Sequence, residues 1–228
     1  MKKNLLLLIA FLLTSFCYSQ TLKAILISKS LKGVGDHTEL SERAKKPKIY
    51  SYLYSNKKSI QKLISDERTT VDTASIHKDD HAFQTTRTYK TASSVTYFKN
   101  EESKIYKVLY TKESNDVTIK EPLPKFNWKL ESENQIISGY NCKKATTTNT
   151  YFNSNQKVIA WYCEDIPIDG GPTHYSGLPG FIMQIELDDS VIETFEKLKV
   201  SKENTSIEEP KNNAADLSYK EFSAQKNR

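Results

Sequence analysis

From Thr21 onward apolar, β-branched and aromatic residues come in short runs broken by Asn, Asp, Gly, Ser or Pro, the pattern of half-buried strands joined by tight turns. Thr21 to Ser30 reads as a first strand, with a helix as the alternative, and Gly33 and Gly35 end it. Asp36 to Lys48 is polar and admits a short helix stopped by Pro47; Ile49, Tyr50, Tyr52, Leu53 and Tyr54 then form a tyrosine-rich strand. In Lys57 to Asp66 the residues Ile60, Leu63 and Ile64 fall at helical spacing, and Thr69 to Arg87 is so polar that a long loop or mobile insertion is expected. Further strands are expected at Thr88 to Thr91, Ser94 to Lys99, Lys104 to Lys112 and Val117 to Glu121, stopped by Pro122 and Pro124. The pattern resumes at Asn127 to Leu130 and Gln135 to Thr148, returns in Lys157 to Asp165 across a turn at Asn153 to Asn155, and closes with Phe181 to Leu187 and Val191 to Val200. Consecutive short strands imply an antiparallel meander. The expected fold is mainly β: a single twisted antiparallel sheet or half-barrel with a short helix or loop as cover.

The ends of the chain differ from this body. Lys2 and Lys3 precede the apolar run Leu5 to Leu13, which is too short to span a membrane and ends in small or polar residues, so residues 1–19 read as a secretory signal peptide. Cleavage after Ser19 would discard Cys17; a lipoprotein would instead acylate Cys17, against which stands the bulky Phe16 beside it. Residues 20–200 form one β-rich domain, and 201–228, charged and amide-rich, reads as a flexible polar tail in which Leu217 to Phe222 docks at most locally. Without Lys2 and Lys3 the 33 basic residues become 31 against 28 acidic ones, and no basic stripe forms, which argues against nucleic acid as partner. Neither does the mature chain carry a span that would cross a membrane as a helix.

Two cysteines remain in an oxidising compartment, Cys142 and Cys163, and a disulfide between them is one expectation. A hairpin turn centred on Ser154 sets Cys142 opposite Ile166, leaving the thiols roughly 10 Å apart along the strand. A bridge therefore needs a turn centred nearer Phe152 and Asn153, or a bulge; otherwise the two remain separate small hydrophobes.

The most demanding backbone lies between Ile166 and Glu186, where Gly170, Gly171 and Pro172 make one corner and Gly177, Leu178, Pro179 and Gly180 a second. Glycine admits positive φ and proline fixes φ, so the loop follows one particular path. It is poor in reactive groups. His174, Tyr175 and Ser176 are sequence neighbours, which seldom form a nucleophilic relay, and the segment lacks the glycine-flanked serine of a hydrolase elbow. Elsewhere His77, Asp79, Asp80 and His81 would place two imidazoles on one helical face, but no third ligand is identifiable, so neither metal nor cofactor is assigned. Trp161 and Tyr162 are adjacent on one strand and must point to opposite faces: one ring should be core and the other should show, either with both structural or with the exposed ring lining a binding groove.

Taken together, Phe126, Trp128, Lys129 and Leu130; Ile137, Gly139, Tyr140, Cys142, Lys143, Lys144 and Ala145; Ala160, Trp161 and Tyr162; Ile166 to Ile168; and Gly171, Pro172 and Gly177 to Ile182 resemble the signature of the GLPGLI family. The resemblance is clearest over 120–190, with Phe181 where that family usually has leucine and a longer stretch between Ala145 and Ala160. It implies an exported protein of a Gram-negative bacterium, periplasmic, outer-membrane-associated or secreted, and brings no catalytic residues with it. The expected function is an exported, non-enzymatic binding or accessory protein of the cell envelope, associated with outer-membrane transport. Its partner would be an envelope protein or peptide, met by Trp161, Tyr162, Gly171, Pro172, His174, Tyr175, Gly177, Leu178, Pro179 and Gly180. A periplasmic carrier of an apolar or lipid-like ligand is the first alternative, a hydrolase or metal enzyme the second.

Overall fold

The computed structural model describes residues 20–32, 45–65, 69–78, 81–90, 94–112, 115–152 and 154–226. The signal-peptide segment, most of the helix expected before Pro47, and Asp79 and Asp80 lie outside these residues. The protein is mainly β. Its strands are β1 (Thr21–Ser30), β2 (Lys48–Ser55), β3 (Lys58–Leu63), β4 (Thr69–Lys78), β5 (His81–Lys90), β6 (Ser94–Asn100) and β7 (Ile105–Lys112). They continue with β8 (Asn115–Pro122), β9 (Lys129–Ile137), β10 (Tyr140–Asn149), β11 (Gln156–Cys163), β12 (Phe181–Leu187), β13 (Val191–Ser201) and β14 (Asp216–Leu217), followed by helix α1 (Tyr219–Lys226).

Twelve strands form one open sheet in the order β14-β8-β7-β6-β3-β2-β1-β13-β12-β11-β10-β9, while β4 and β5 pair only with each other. Every pairing is antiparallel except β14 with β8. Tight turns fix the register. Asn56 and Lys57, with φ of 51° and 59°, join β2 to β3, and Ser138 and Gly139, at 50° and 86°, join β9 to β10. Positive φ at both central residues matches the right-handed twist of a two-residue hairpin.

That first hairpin corrects the reading of Lys57 to Asp66: Ile60 pairs with Leu53, and the segment is β3 rather than a helix. A six-residue strand with two apolar positions is too short for its spacing to tell helix from strand, and pairing with β2 decides it. The loop or insertion expected over Thr69 to Arg87 is corrected too, because Thr69 to Lys90 folds back on itself as the β4–β5 hairpin. Its threonines and aromatics suit a pleated ladder although few of its residues are aliphatic. His77 pairs with Ala82 and His81 with Lys78 on two strands, so the helical spacing that would bring the imidazoles together is not formed.

The main sheet is strongly curved. Strands β2 and β12 stand three places apart, about 14 Å in a flat sheet, yet the Tyr52 ring meets Phe181 at 5.7 Å and Phe195 at 4.8 Å. The concave face holds one core in which Leu22, Leu26, Tyr50, Tyr52 and Tyr54 meet Cys142, Trp161, Cys163, Phe181 and Met183. The other face of β10 to β12 holds a second core of Ala145, Val158, Ala160, Tyr162, Ile182 and Ile185. A third, built on Val95, Tyr106, Val108 and Ile119, lies at the β6–β8 end. Strands covered on both faces explain the near-continuous burial of Phe181 to Ile185.

The flexible tail expected from 201 onward is instead laid against the sheet. Ile207 is buried, Asp216 and Leu217 pair in parallel with Thr118 and Ile119, and Tyr219 and Phe222 pack on the third core. Charged groups hold this segment in place of a large apolar area: Lys107 Nζ, buried, lies 3.2 Å from Glu209 and 3.0 Å from Asp216, and Lys120 adds contacts to both carboxylates. Helix α1 starts with a capping box, in which Ser218 Oγ accepts from the Glu221 N–H at 3.2 Å and Glu221 Oε2 accepts from the Ser218 N–H at 2.7 Å. Replacing Lys107 by Met leaves both carboxylates with Lys120 alone. A loss of about 1–3 kcal/mol in chemical denaturation is expected, with faster amide exchange confined at first to residues 207–226.

Candidate functional site

The connection from β11 to β12, residues 164–180, touches all three cores. Its residues alternate between inside and outside: Ile166, Ile168, Gly170, Leu178 and Gly180 are buried, whereas Pro167, Asp169, Gly177 and Pro179 are exposed. Ile166 and Ile168 enter the first core; Tyr175 and Leu178 enter the second. His174 reaches the third, with ring centroids 5.2 Å from Tyr106 and 5.2 Å from Phe152, and it stacks on Tyr175 at 4.4 Å.

The glycines are there for contact as much as for φ. A Cβ at Gly171 would sit 2.8 Å from Ile182 Cβ, and at Gly180, where φ is +150°, a Cβ would fall 2.2 Å from the Cys163 carbonyl oxygen. Gly177 has φ of +91° but open space around it, its nearest neighbour being Trp128 Nε1 at 3.7 Å. Substitution by alanine is expected to destabilise in the order Gly180, then Gly171, then Gly177. Thermal melts should show about 1 kcal/mol for the last and about 1–3 kcal/mol or more for the overpacked pair.

Polar groups beneath the loop complete its attachment. Lys99, fully buried on β6, donates from Nζ to the Tyr175 carbonyl at 3.0 Å. Gln61 Oε1 on β3 accepts from the Thr173 N–H at 2.9 Å, and Asn149 on β10 donates to the Tyr175 hydroxyl at 3.2 Å. Trp128 Nε1 donates to the Ser176 carbonyl at 2.9 Å, and the Asp169 carboxylate accepts from the Gly177 N–H at 2.6 Å, closing the tip. Side chains from β3, β6, β10 and the approach to β9, with Asp169 of the loop itself, thus hold four of the five residues from Thr173 to Gly177. Because those residues are not in a ladder, side chains must satisfy their backbone groups.

The ionisable groups here are strongly perturbed. Burial lowers the Lys99 pKa, opposed by the charges of Glu101 and Asp169. Burial raises the Glu101 carboxyl to about 7, with Lys99 pulling the other way. Burial, and then the Lys99 charge, depress His174 to about 3, so its ring is neutral near pH 7. Among the described residues, buried oxygens of Tyr52 and Glu101 and the His174 Nε2 find no hydrogen-bond partner. A buried lysine beside a carboxyl with a pKa near 7 is a chemically capable pair, but Lys99 is 0% exposed and its ammonium is spent on the loop carbonyl.

Glu101 gives this cluster a pH signature. Since its pKa is higher folded than unfolded, its favourable contribution is fully present below about 4.5 and is lost as pH rises through about 7. His174 runs the other way, its neutral form favouring the fold above about 6.5 and failing as pH falls toward 3. Glu101→Gln should therefore flatten the fall in stability between about pH 4.5 and 7, measured as urea midpoints across that range; an unchanged slope would contradict the assignment.

Several sequence-stated site residues come together, though not as an open groove. Trp161 is 7% exposed and Tyr162 2%, one in each core, which corrects the expectation that one of the two rings shows at the surface. Both faces of β11 are covered, a circumstance alternation along one strand does not reveal. Trp161 Nε1 donates to Glu186 at 3.1 Å. Gly171, Pro172, Tyr175, Leu178 and Gly180 are buried, leaving Gly177 and Pro179 as the surface of the motif beside Trp128. Lys99, Gln61 and Asn149 on their strands and Glu101 in the turn after β6 escape sequence reading, because a polar residue on an alternating strand or in a turn reads as solvated.

Trp128 leads directly into β9, the strand at one end of the sheet. The opposite end is covered by β14; among the described residues β9 pairs on one side only, with β10, and exposes Leu130 (55%) and Ile136 (74%).

The family described as "N-glycanase peptide, N-terminal domain" matches residues 46–221. Two solved structures resemble the chain: PNGF-II in space group P21, with a TM-score of 0.54 and 14% identity over 90% of this chain and 32% of that one, and PNGF-II in space group C2, with 0.50 and 15% over 83% and 28%. The chain spans about a third of the length of these proteins, and at such identity the likeness is one of fold. No curated protein matches it.

Proposed function

The chain belongs to the N-glycanase peptide N-terminal domain family, and on that premise we propose that it is an exported binding or accessory protein of the cell envelope, taking an extended segment of an envelope protein onto the β9 edge. The observation that carries this reading is the asymmetry of the sheet: β14 and the charged strap cover one end, and β9 presents the other with two large apolar side chains exposed. A free edge recognises an extended peptide by main-chain hydrogen bonds, with side-chain contacts giving selectivity. The loop tip at Gly177 adjoins that edge through Trp128. Lys129, Glu131 and Glu133 place charge along β9, and Glu133 is paired with Lys144; charges of this kind discourage indiscriminate edge pairing.

The sealed state of Lys99, Glu101 and His174 supports binding over catalysis, since these groups serve the loop that covers them. Export rests on the leader-like residues 1–19, and the GLPGLI resemblance, with its suggested link to outer-membrane transport, agrees with it. An N-glycanase activity belongs to the relatives' name; for this chain, a third of their length, the reading is the binding part of such a design. A carrier role has one observation in its favour, an open cleft of about 610 Å³ between Leu53, Ile60 and Lys62 and the strap residues 206–211.

Affinity capture from envelope extracts, using the full chain and a Leu130→Lys, Ile136→Lys double variant, separates these readings. The edge reading expects one envelope protein recovered by the wild type and reduced about tenfold or more by the variant, with unchanged melting temperature. Equal recovery by both proteins overturns it, and an apolar small molecule retained in native mass spectra favours the carrier.

A further inference from the structure

In the β10–β11 hairpin Lys143 pairs with Tyr162, Lys144 with Trp161 and Ala145 with Ala160, a register centred after Phe152. Continuing this register by one place sets Cys142 opposite Cys163. Both are completely buried in the first core, and both are free thiols. Directly opposed residues of an antiparallel pair have α-carbons about 4.5–5.5 Å apart, inside the range a disulfide spans. Cys163 is also the residue whose carbonyl confronts Gly180 and accepts from the Ile166 N–H at 3.4 Å, so it anchors the start of the loop.

We propose that Cys142 and Cys163 are a built cross-strand disulfide site, closed by oxidation when the chain folds in an oxidising compartment and pinning the β11 end of the loop to β10. The thiolate of one cysteine attacks the disulfide of an external oxidant, a thiol–disulfide oxidoreductase or oxidised glutathione, forming a mixed disulfide. The second thiolate then displaces the oxidant's remaining sulfur. Two thiols lose two protons and two electrons, and the oxidant's disulfide becomes two thiols. Timing follows from burial, which pushes the Cys142 thiol up to about 12 and withholds the thiolate once the strands have closed. Oxidation therefore belongs to the folding chain, and the finished bridge is shielded from reductant. The site is independent of the β9 reading, since it lies in the core and requires no partner.

The full chain is unfolded and reduced, refolded with mixed oxidised and reduced glutathione, alkylated under denaturing non-reducing conditions and mapped by peptide mass spectrometry. The expected result is a peptide pair linked through Cys142 and Cys163, with Cys17 alkylated. Chain folded first under reducing conditions and only then given oxidised glutathione should form the link at least about tenfold more slowly. The bridged form should melt on the order of 5–10 °C above the reduced form, as closure of a hairpin of this length predicts. Cys142→Ala/Cys163→Ala should melt at one temperature whatever the redox buffer. Alkylation of both Cys142 and Cys163 after oxidative refolding, or a link from either to Cys17, overturns the proposal.

Discussion

The backbone of Thr173 to Gly177 has no strand to pair with, and the requirement that its buried groups find partners organises the middle of this protein. An unpaired buried carbonyl or amide costs about as much as a lost hydrogen bond. Lys99, Gln61, Asn149, Trp128 and Asp169 each meet one of these needs, directly at the backbone or at the Tyr175 hydroxyl. They come from β6, β3, β10, the approach to β9 and the loop itself, so one short segment links strands that are far apart in the sheet order. A sheet of twelve strands curved this strongly needs a fastening across its concave side, and the loop supplies it.

Burying a lysine for this purpose is expensive, and the surroundings show how the cost is limited. Glu101 and Asp169 provide nearby negative charge, and the ammonium retains a direct bond to a carbonyl. The same desolvation keeps His174 neutral, so that an imidazole can sit as a flat apolar ring among Tyr106, Phe126, Phe152 and Tyr175. Residues that would read as catalytic in an open cleft act here as mortar.

The two ends of the sheet are managed differently. At β8 the chain's own later residues supply a short parallel strand, fixed by Lys107 and Lys120 against Glu209 and Asp216. Electrostatic attachment suits a segment with few aliphatic residues, because a partly buried ion pair holds position where apolar area is insufficient. At β9 charge is present as a guard along the edge, leaving Ile136 exposed beside it.

Period-two alternation was enough to determine that the protein is mainly β, and Gly170, Gly171, Pro172, Gly177, Pro179 and Gly180 were enough to mark a loop of fixed path, because φ preferences are properties of the residue. The hairpin identity of 69–90, the strand at Lys58–Leu63 and the docking of 207–226 were not legible: each depends on a partner strand or counter-charge distant in sequence. The cysteine register turned on a shift of the hairpin centre from Ser154 to just after Phe152, set by pairing with β10. Alternation required Trp161 and Tyr162 to face opposite ways, and curvature together with a covering loop buried both. Lys99 and Glu101 carry no local sign of burial at all. A residue's backbone preference travels with it, whereas the solvent it sees is decided by the rest of the fold.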